Sequence, residues 1–247
     1  MGSLLMNGAL SAKDNAGAFQ KKVYNSKGPL NYRLYTPENM DPNKKYPLII
    51  FFHGAGSRGS DNIKQLTKGL MNILAYSKAS GNPVIIIAPQ CPKDKRWVNI
   101  PWKTPECTMP KDPSVPMKQV IELLKDTLEK LPVDKKRIYV TGLSMGGFAT
   151  WDIVQRMPET FAAAIPICGG GDAKMATVIK NVPIWIFHGG ADTVVATKYS
   201  QDMEAALKRV GGKVKYTEYK GVGHDSWNRT YTDKEVLKWL FDQKKNK

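Results

Sequence analysis

Continuous runs of apolar residues recur along the chain at intervals that suit buried strands. YPLIIFFHG, PVIIIAP, RIYVTG and VPIWIFHG lack apolar–polar alternation, which is typical of strands covered on both faces of a parallel sheet. AAAIPIC is a weaker fifth run, and VKYTEY is expected at an edge. Near the amino terminus, AFQKKVYNSKGPLNYRLYTP predicts two strands joined by a turn at residues 26–29.

Segments with helical periodicity lie between these strands. MKQVIELLKDTLEKL carries an apolar stripe with the 3.6-residue period of a helix, at Val120, Leu123, Leu124 and Leu128. IKQLTKGLMNILAYSKAS, TKYSQDMEAALKRVGG and TDKEVLKWLFDQ predict further helices, the last with Thr232 and Glu235 at capping-box spacing. Strands that alternate with helices predict an α/β fold with a mostly parallel central sheet and helices on both faces.

One proline-rich segment, residues 89–116, breaks this alternation. Long loops inside a domain are usually functional or disordered, and loops at the carboxyl ends of parallel strands bind ligands in α/β proteins. With Trp97 and Trp102, the segment is either one wall of a substrate pocket or a surface excursion packed down by its tryptophans. Cys91 and Cys107 either form a disulfide or stay as free thiols, and Cys168 is left over.

The composition suits a globular protein of one α/β domain or two smaller ones, with 247 residues and 42% hydrophobic content. No apolar run approaches the roughly 18 residues that cross a bilayer, so we expect no membrane partner. The start, MGSLLMNGAL, is too short and weakly charged for a convincing signal peptide. We expect residues 1–16 to be a tail or an expression remnant, and the compartment stays open, with secretion as one alternative.

The formal net charge is +15, which suits either an anionic partner or a lysine-rich solvated surface. The basic residues are scattered through NKKYP, DKKRI and DQKKNK and form no nucleic-acid motif. This distribution favours the solvated surface, and we expect no nucleic-acid partner. No C-x-x-C pair or histidine-rich tract indicates a metal site.

The segment GLSMG places Ser144 in the pattern G-x-S-x-G, between the predicted strand RIYVTG and the predicted helix GFATWDIVQRM. A nucleophile elbow requires this strand–turn–helix setting, and small flanking residues let strand and helix approach closely. The alternative is a tight turn with an incidental serine. We favour Ser144 as a nucleophile.

A serine hydroxyl needs a base that takes its proton and an acid that orients the base. The chain has three histidines. His53 and His188 each end a buried strand, where histidines more often bond to the backbone. His224 lies in GVGHDSW, between the last strand and the last helix, where the chain order Ser, Asp, His places the base. We expect His224 to be the base.

The acid is expected between Ser144 and His224, just after a strand. Asp192 in IFHGGADTVV fits this position. Asp172 follows the strand directly after the elbow, where the acid is found less often, and Asp225 is adjacent to His224 and would have difficulty reaching its ring. Asp192 is the preferred acid, and the other two are expected to be turn or surface residues.

A tetrahedral oxyanion needs preorganised N–H donors. One is expected from the backbone of Met145, the residue after the nucleophile, and the second from the loop after the first buried strand. That loop, HGAGSRGSDN, is rich in glycine. Ala55 is the preferred second donor, with Gly54 and Gly56 as alternatives, and the competing interpretation is a merely flexible connection.

Four blocks, FFHGAGSRGSDN, GLSMGGFATWD, IFHGGADTVV and GVGHDSW, together resemble the α/β-hydrolase superfamily. They are similar to bacterial esterases related to feruloyl and acetylxylan esterases and to polyhydroxybutyrate-depolymerase-like proteins, and also to the catalytic domain of prolyl oligopeptidases. The resemblance implies a catalytic domain over residues 17–247, with Ser144, Asp192 and His224 as nucleophile, acid and base. It also implies no cofactor or metal, and some relatives carry an extra amino-terminal domain.

The predicted activity is that of a serine carboxylesterase on short acyl esters, including feruloyl or acetyl-carbohydrate esters. No long apolar lid helix is apparent in the sequence, which argues against long-chain triglycerides. Trp97 and Trp102 offer flat aromatic faces for ring substrates. The expected substrate-binding residues are Trp97, Trp227 and Gly54. The alternatives are a prolyl-oligopeptidase-like peptidase and a non-catalytic polymer-binding module.

Overall fold

Eight strands form a single sheet in the computed structural model, which describes residues 17–26 and 28–246. The expected tail, residues 1–16, lies outside the described residues, as does Lys27 of the predicted turn. The strands are β1 (Gln20–Ser26), β2 (Gly28–Tyr35), β3 (Tyr46–Phe52), β4 (Ile85–Pro89), β5 (Val133–Leu143), β6 (Ala163–Ile167), β7 (Ile184–Gly189) and β8 (Val214–Tyr219).

The spatial order of the strands is β1-β2-β4-β3-β5-β6-β7-β8. The pairs β1–β2 and β2–β4 are antiparallel, and all other neighbours are parallel. The predicted edge strand VKYTEY is β8 and lies at one edge, as expected. The predicted α/β fold with a mostly parallel central sheet is confirmed.

Seven α-helices accompany the strands within the described residues. Five lie between strands: α1 (Lys68–Ala79), α2 (Val115–Lys130), α3 (Met145–Arg156), α4 (Ala176–Ile179) and α5 (Lys198–Arg209). The other two follow β8: α6 (Trp227–Thr232) and α7 (Lys234–Asp242). Short 3-10 turns cover Ala55–Ser57 and Ala173–Met175. Within the described part of the chain, no helix is long and apolar enough to cross a membrane.

The apolar pattern of β3 is continuous because its successive side chains point to opposite faces of the sheet, and each face is covered by a hydrophobic core. Leu48, Ile50 and Phe52 pack with α2, α3 and α5 on one face of the sheet. Ile49 and Phe51 pack with α1 and α7 on the other face. Each completely buried aliphatic or aromatic side chain contributes about 1.5–3 kcal/mol relative to exposure. Burial on both faces therefore anchors the strand ends that carry the loops described below.

Two predicted helix starts differ from the observed ones. The first predicted helix begins at Lys68 rather than near Ile63, because the Asp61 carboxylate accepts hydrogen bonds from the N–H groups of Ile63 and Lys64 and holds a turn there. The last helix is capped by Asp233, whose carboxylate accepts from the N–H of Glu235. Thr232 belongs to α6 instead, so the predicted capping box is wrong.

The long loop is held down by Trp97, whose side chain is completely buried. Its indole N–H donates to the carbonyl of His53 at 3.2 Å, and its ring meets Phe52 edge-on. Its carbonyl accepts from the hydroxyl of Ser114, the N-cap of α2. Trp97 therefore fixes the path of the loop from β4 to α2.

The three cysteines are free buried thiols.

Candidate active site

Ser144 occupies the turn between β5 and α3, with φ 55° and ψ −120°. A residue other than glycine in this region costs of order 1–3 kcal/mol and persists only where the surroundings impose it. Here the N–H of Ser144 donates to the carbonyl of Ile167 at 2.9 Å, and its own carbonyl accepts from the N–H groups of Gly147 and Phe148. These bonds hold the side chain out at the carboxyl end of the sheet.

The two glycines of the GLSMG segment are required by close backbone approach. A Cβ atom on Gly142 would lie 2.3 Å from the carbonyl oxygen of Gly146, and one on Gly146 would lie 2.1 Å from that of Phe52. Real Cβ contacts are never this short. Any side chain would push α3 away from β3 and β5, so the pattern reflects packing around the serine.

The structure brings Ser144, His224 and Asp192 into one hydrogen-bonded chain. The Ser144 hydroxyl lies 2.8 Å from Nε2 of His224, and Nδ1 of His224 lies 2.7 Å from Oδ2 of Asp192. The His224 side chain is 19% exposed, whereas the Asp192 side chain is completely buried. A serine backed by an imidazole and a sheltered carboxylate has the geometry that nucleophilic acyl transfer requires.

Asp192 is held as a carboxylate despite its burial. Burial alone raises the pKa of this carboxyl, but hydrogen bonds from His224 and from the N–H groups of Val195 and Val194 outweigh it and lower the pKa. Those two N–H groups lie 3.0 and 2.8 Å from Oδ1. Because a carboxylate only accepts, Nδ1 of His224 carries the proton and Nε2 is free to accept from Ser144.

The alternative acids have other partners. Asp172 accepts from the N–H groups of Met109 and Lys174, so it ties the long loop to a 3-10 turn. Asp225 accepts from the side-chain amide of Asn228. Of the three carboxylates considered from the sequence, Asp192 is the one that meets His224.

His53 fits the structural role expected from the sequence. Its Nδ1 donates to the carbonyl of Gly54 at 2.6 Å, and its Nε2 accepts from the N–H of Cys91 at 3.0 Å. Burial lowers its pKa to about 4. The neutral ring therefore joins the loop after β3 to the end of β4, which fixes the backbone next to Ser144.

Ala55 and Met145 are the residues expected from the sequence to supply the oxyanion donors. Ala55 begins the 3-10 turn after β3, and Met145 is the first residue of α3. Within the described residues, neither N–H donates to a protein acceptor. Both residues line the cleft that contains Ser144. Gly54 lines it too, and a Cβ there would lie 2.8 Å from Leu143 Cδ1, so the backbone lies against that side chain.

The cleft has a volume of about 430 Å³, within the range of small-molecule sites. Its walls are mostly apolar, with Trp102, Phe148, Val194, Val195 and Trp227, and its polar side includes Thr67, Lys68 and Asn228. The sequence reasoning missed Phe148 and the two valines. The available signal was that Val194 and Val195 follow Thr193 in the loop of the expected acid, Asp192, because residues of that loop also border the site.

The two tryptophans of the long loop have different positions. Trp97 does not line the cleft, because its ring is enclosed between the His53 loop and Phe52, which corrects the expectation that it contacts substrate. Trp102 lines the cleft instead, and the guanidinium of Arg96 lies 4.6 Å from its ring centroid. Trp227 also lines the cleft and meets His224 edge-on, with ring centroids 5.2 Å apart.

One cluster of metal-ligating groups occurs among the described residues, and it coincides with the site. A thiol of Cys168, a carboxylate oxygen of Asp192 and a ring nitrogen of His224 lie within 4.8 Å of one another. Burial raises the pKa of the Cys168 thiol far above its ordinary value. A protonated thiol is a poor ligand, and the other two groups bind each other. The cluster is better explained as packing beneath Ser144.

Comparison with known proteins gives consistent similarities. The family model described as phospholipase/carboxylesterase matches residues 39–236. A solved structure described as a thermostable esterase is 38% identical with a TM-score of 0.86, and the match covers 93% of this chain and 64% of that one. Feruloyl esterase B of Thermothelomyces thermophilus is 24% identical over 279 residues, covering 98% of this chain and 92% of the relative.

A further relative is the bifunctional acetylxylan esterase/xylanase of Neocallimastix patriciarum. It is 26% identical over 180 residues, which covers 71% of this chain. The chain spans 23% of that relative's length and 64% of the thermostable esterase. The resemblance to esterases with the α/β-hydrolase fold, expected from four sequence blocks, is confirmed.

Proposed function

The chain belongs to the phospholipase/carboxylesterase family of carboxylic ester hydrolases, and on that premise we propose that it is a serine esterase acting on short-chain acyl esters. Ser144 is the nucleophile, His224 the base and Asp192 the acid. The observation that carries the proposal is the hydrogen-bonded chain from the Ser144 hydroxyl through His224 to the buried Asp192 carboxylate.

The acylation step follows from these contacts. His224 Nε2 takes the hydroxyl proton as Ser144 Oγ attacks the ester carbonyl carbon, and the carbonyl oxygen becomes an oxyanion. The N–H groups of Ala55 and Met145 stabilise that charge, and losing one such donor typically costs about 2.7–4 kcal/mol. The carbon–oxygen bond to the alcohol then breaks, and the imidazolium returns its proton to the departing alkoxide. An acyl ester of Ser144 remains.

Deacylation repeats the same proton movements with water. His224 takes a proton from a water molecule, whose oxygen attacks the acyl carbon. The second tetrahedral oxyanion collapses, Ser144 leaves as an alkoxide, and His224 protonates it. Asp192 stays ionised throughout and stabilises the imidazolium formed in each half-reaction. The scheme uses residues of this chain and water, with no cofactor or metal.

The size and walls of the cleft support small acyl groups or a single aromatic ring. Trp102 and Trp227 present aromatic surface beside Ser144, and rings pack well on such surface. Feruloyl and acetyl-carbohydrate esters therefore belong to the proposed substrate range, as small molecules or on a polysaccharide, and the proposal includes neither nucleic acid nor a membrane as partner. An amino-terminal domain in a longer protein stays a prediction.

The alternative activities receive less support. The relatives described above are named as esterases, which does not favour a peptidase. A non-catalytic polymer-binding module is disfavoured because the described site has a serine, a histidine and a carboxylate hydrogen-bonded in sequence.

The test is Ser144→Ala, assayed on a short-chain nitrophenyl ester and with a fluorophosphonate probe. We expect probe labelling to disappear and turnover to fall by about a million-fold, the cost known for a serine of this kind. Ser77→Ala is the control, because Ser77 is a buried serine of α1 that bonds the carbonyl of Asn82. Only a few-fold loss in Ser144→Ala would refute the assignment.

A further inference from the structure

A second histidine contacts the carboxylate of Asp192. His188 lies in β7 and is completely buried. Its Nε2 is 3.2 Å from Oδ2 of Asp192, the same oxygen that meets Nδ1 of His224 at 2.7 Å. Because both nitrogens contact the same carboxylate oxygen, a change at His188 is expected to affect Asp192, the acid of the proposed mechanism.

The hydrogen bonds around His188 determine which nitrogen carries its proton. Nε2 lies 3.1 Å from the carbonyl oxygen of Val195 as well as facing Asp192. Both of these groups only accept, so Nε2 carries a hydrogen. Nδ1 lies 2.7 Å from the hydroxyl of Ser200, which is itself completely buried in α5. A neutral ring then accepts the Ser200 proton at Nδ1.

The electrostatic surroundings keep this ring neutral. Burial is the main cause that lowers the pKa of His188, and the neighbouring His224 lowers it further. Asp192 raises it, with less effect than burial. On β8, the paired residue Glu218 has its carboxylate bound by Tyr216 and Gln201. The Nε2 hydrogen of His188 is therefore shared between the Val195 carbonyl and the Asp192 carboxylate, and the neutral ring places no second positive charge beside His224.

We propose that His188 is a positioning residue that holds Oδ2 of Asp192 toward His224, with Ser200 fixing its tautomer. The inference rests on the proposed roles of Ser144, Asp192 and His224. Two backbone N–H groups bind Oδ1 of Asp192, so His188 completes the set of donors on Oδ2. The carboxylate is then held in one orientation. Because His188 also contacts Oδ2, that oxygen is a weaker base toward His224 than it would be without His188.

The loss of His188 has two expected consequences. The carboxylate can turn away from its productive orientation, which lowers kcat, whereas KM changes little because His188 does not line the cleft. Asp192 also becomes more basic, since a donor that stabilised its charge is gone. The imidazolium formed at His224 during turnover then faces a less satisfied carboxylate, so the acid limb of the kcat/KM profile is expected to move to higher pH. The other titratable groups near His224, Cys168 and Asp225, are unchanged.

The experiment compares His188→Phe, His188→Gln and Ser200→Ala with Ser77→Ala. Each variant is assayed for kcat, KM, thermal unfolding and the pH dependence of kcat/KM on a nitrophenyl ester. We expect His188→Phe to lower kcat about ten-fold or more, as for a lost hydrogen bond to a charged group. The acid limb should move to higher pH, and His188→Gln, whose amide donates near the Nε2 position, should restore part of both changes.

Ser200→Ala keeps the ring and provides a milder variant if His188→Phe does not fold. It should lower kcat in the same direction, whereas Ser77→Ala should not, although both remove one buried hydroxyl. The Nδ1 proton of His224, observed by NMR, gives a readout that needs no turnover, because its chemical shift reports the hydrogen bond to Asp192. A changed shift of this proton in His188→Phe or Ser200→Ala supports the inference.

Unchanged kcat and an unchanged chemical shift of the His224 Nδ1 proton in Ser200→Ala and His188→Phe would overturn it, as would an equal loss in Ser77→Ala. In those cases Ser144 still reacts with fluorophosphonate, so the proposed function stands. Failure of the proposed function itself has a different signature, in which Ser144→Ala keeps its turnover and the wild-type serine is not labelled.

Discussion

The backbone of Ser144 stores strain, and glycine at this position should release it. Ser144 has φ 55° and ψ −120°, a conformation open to glycine but costly for any residue with a Cβ atom. Ser144→Gly and Ser144→Ala both remove the hydroxyl and its hydrogen bond to His224. Their difference in free energy of unfolding therefore isolates the Cβ atom and the flexibility of the unfolded chain.

The expected size follows from two opposing contributions. Strain relief is worth about 1–3 kcal/mol, and the greater freedom of glycine in the unfolded chain costs about 0.5–1 kcal/mol. The glycine variant should thus be more stable than the alanine variant by about 1 kcal/mol, which raises Tm by roughly 2–4 °C in a chain of this size. Both variants should be inactive.

Calorimetric or denaturant unfolding of the two variants tests this. Ser77 supplies the matched comparison, because it lies inside α1, where glycine is about 1 kcal/mol less favourable than alanine. The order of the pair should therefore be reversed at Ser77. A Ser144→Gly protein that melts at or below Ser144→Ala would refute the claim that the turn is strained.

Two further predictions concern the long loop and the histidine behind it. Trp97→Ala should destabilise the fold by about 3–5 kcal/mol in chemical unfolding, and an unchanged stability of this variant would contradict the packing role of Trp97. Trp102→Ala, in contrast, should leave Tm nearly unchanged and raise KM for ring-bearing esters. His53 is neutral when folded, with a pKa of about 4 against 6.5, so its contribution is complete above pH 6.5 and is lost as pH falls toward 4, about 3 kcal/mol in all. In a His53→Asn variant, the free energy of unfolding should fall less steeply between pH 6.5 and 4 than in the wild type. A slope equal to that of the wild type would show that another group causes the loss.

Much of the site could be predicted because its signals are local. The continuous apolar runs identified the buried strands, and the glycines around Ser144 identified a turn whose crowding leaves no room for side chains. The choice of His224 and Asp192 needed only chain order and position after a strand. Such features can be predicted from the sequence because they depend on residues that are close together along the chain.

The features that sequence reasoning missed depend on distant contacts. Trp97 and Trp102 lie five positions apart in an irregular loop, so no periodicity indicates which ring packs under His53 and which reaches the cleft. His188 was expected to bond to the backbone, and it does bond to Val195, but its contact with Asp192 arises from the path of the loop after β7. The positions of these residues along an irregular loop do not indicate which distant residues they contact.

The site also has a consequence for how the protein folds. Ala55 lies on the loop after β3 and His224 follows β8, so the proposed oxyanion donor and the proposed base are separated by most of the chain. Contacts between such distant segments form late and slowly, since loop-closure entropy must be overcome first. No partial sheet lacking the β7–β8 edge contains the complete set of groups. Catalytic competence is therefore a stringent signature of the finished native state.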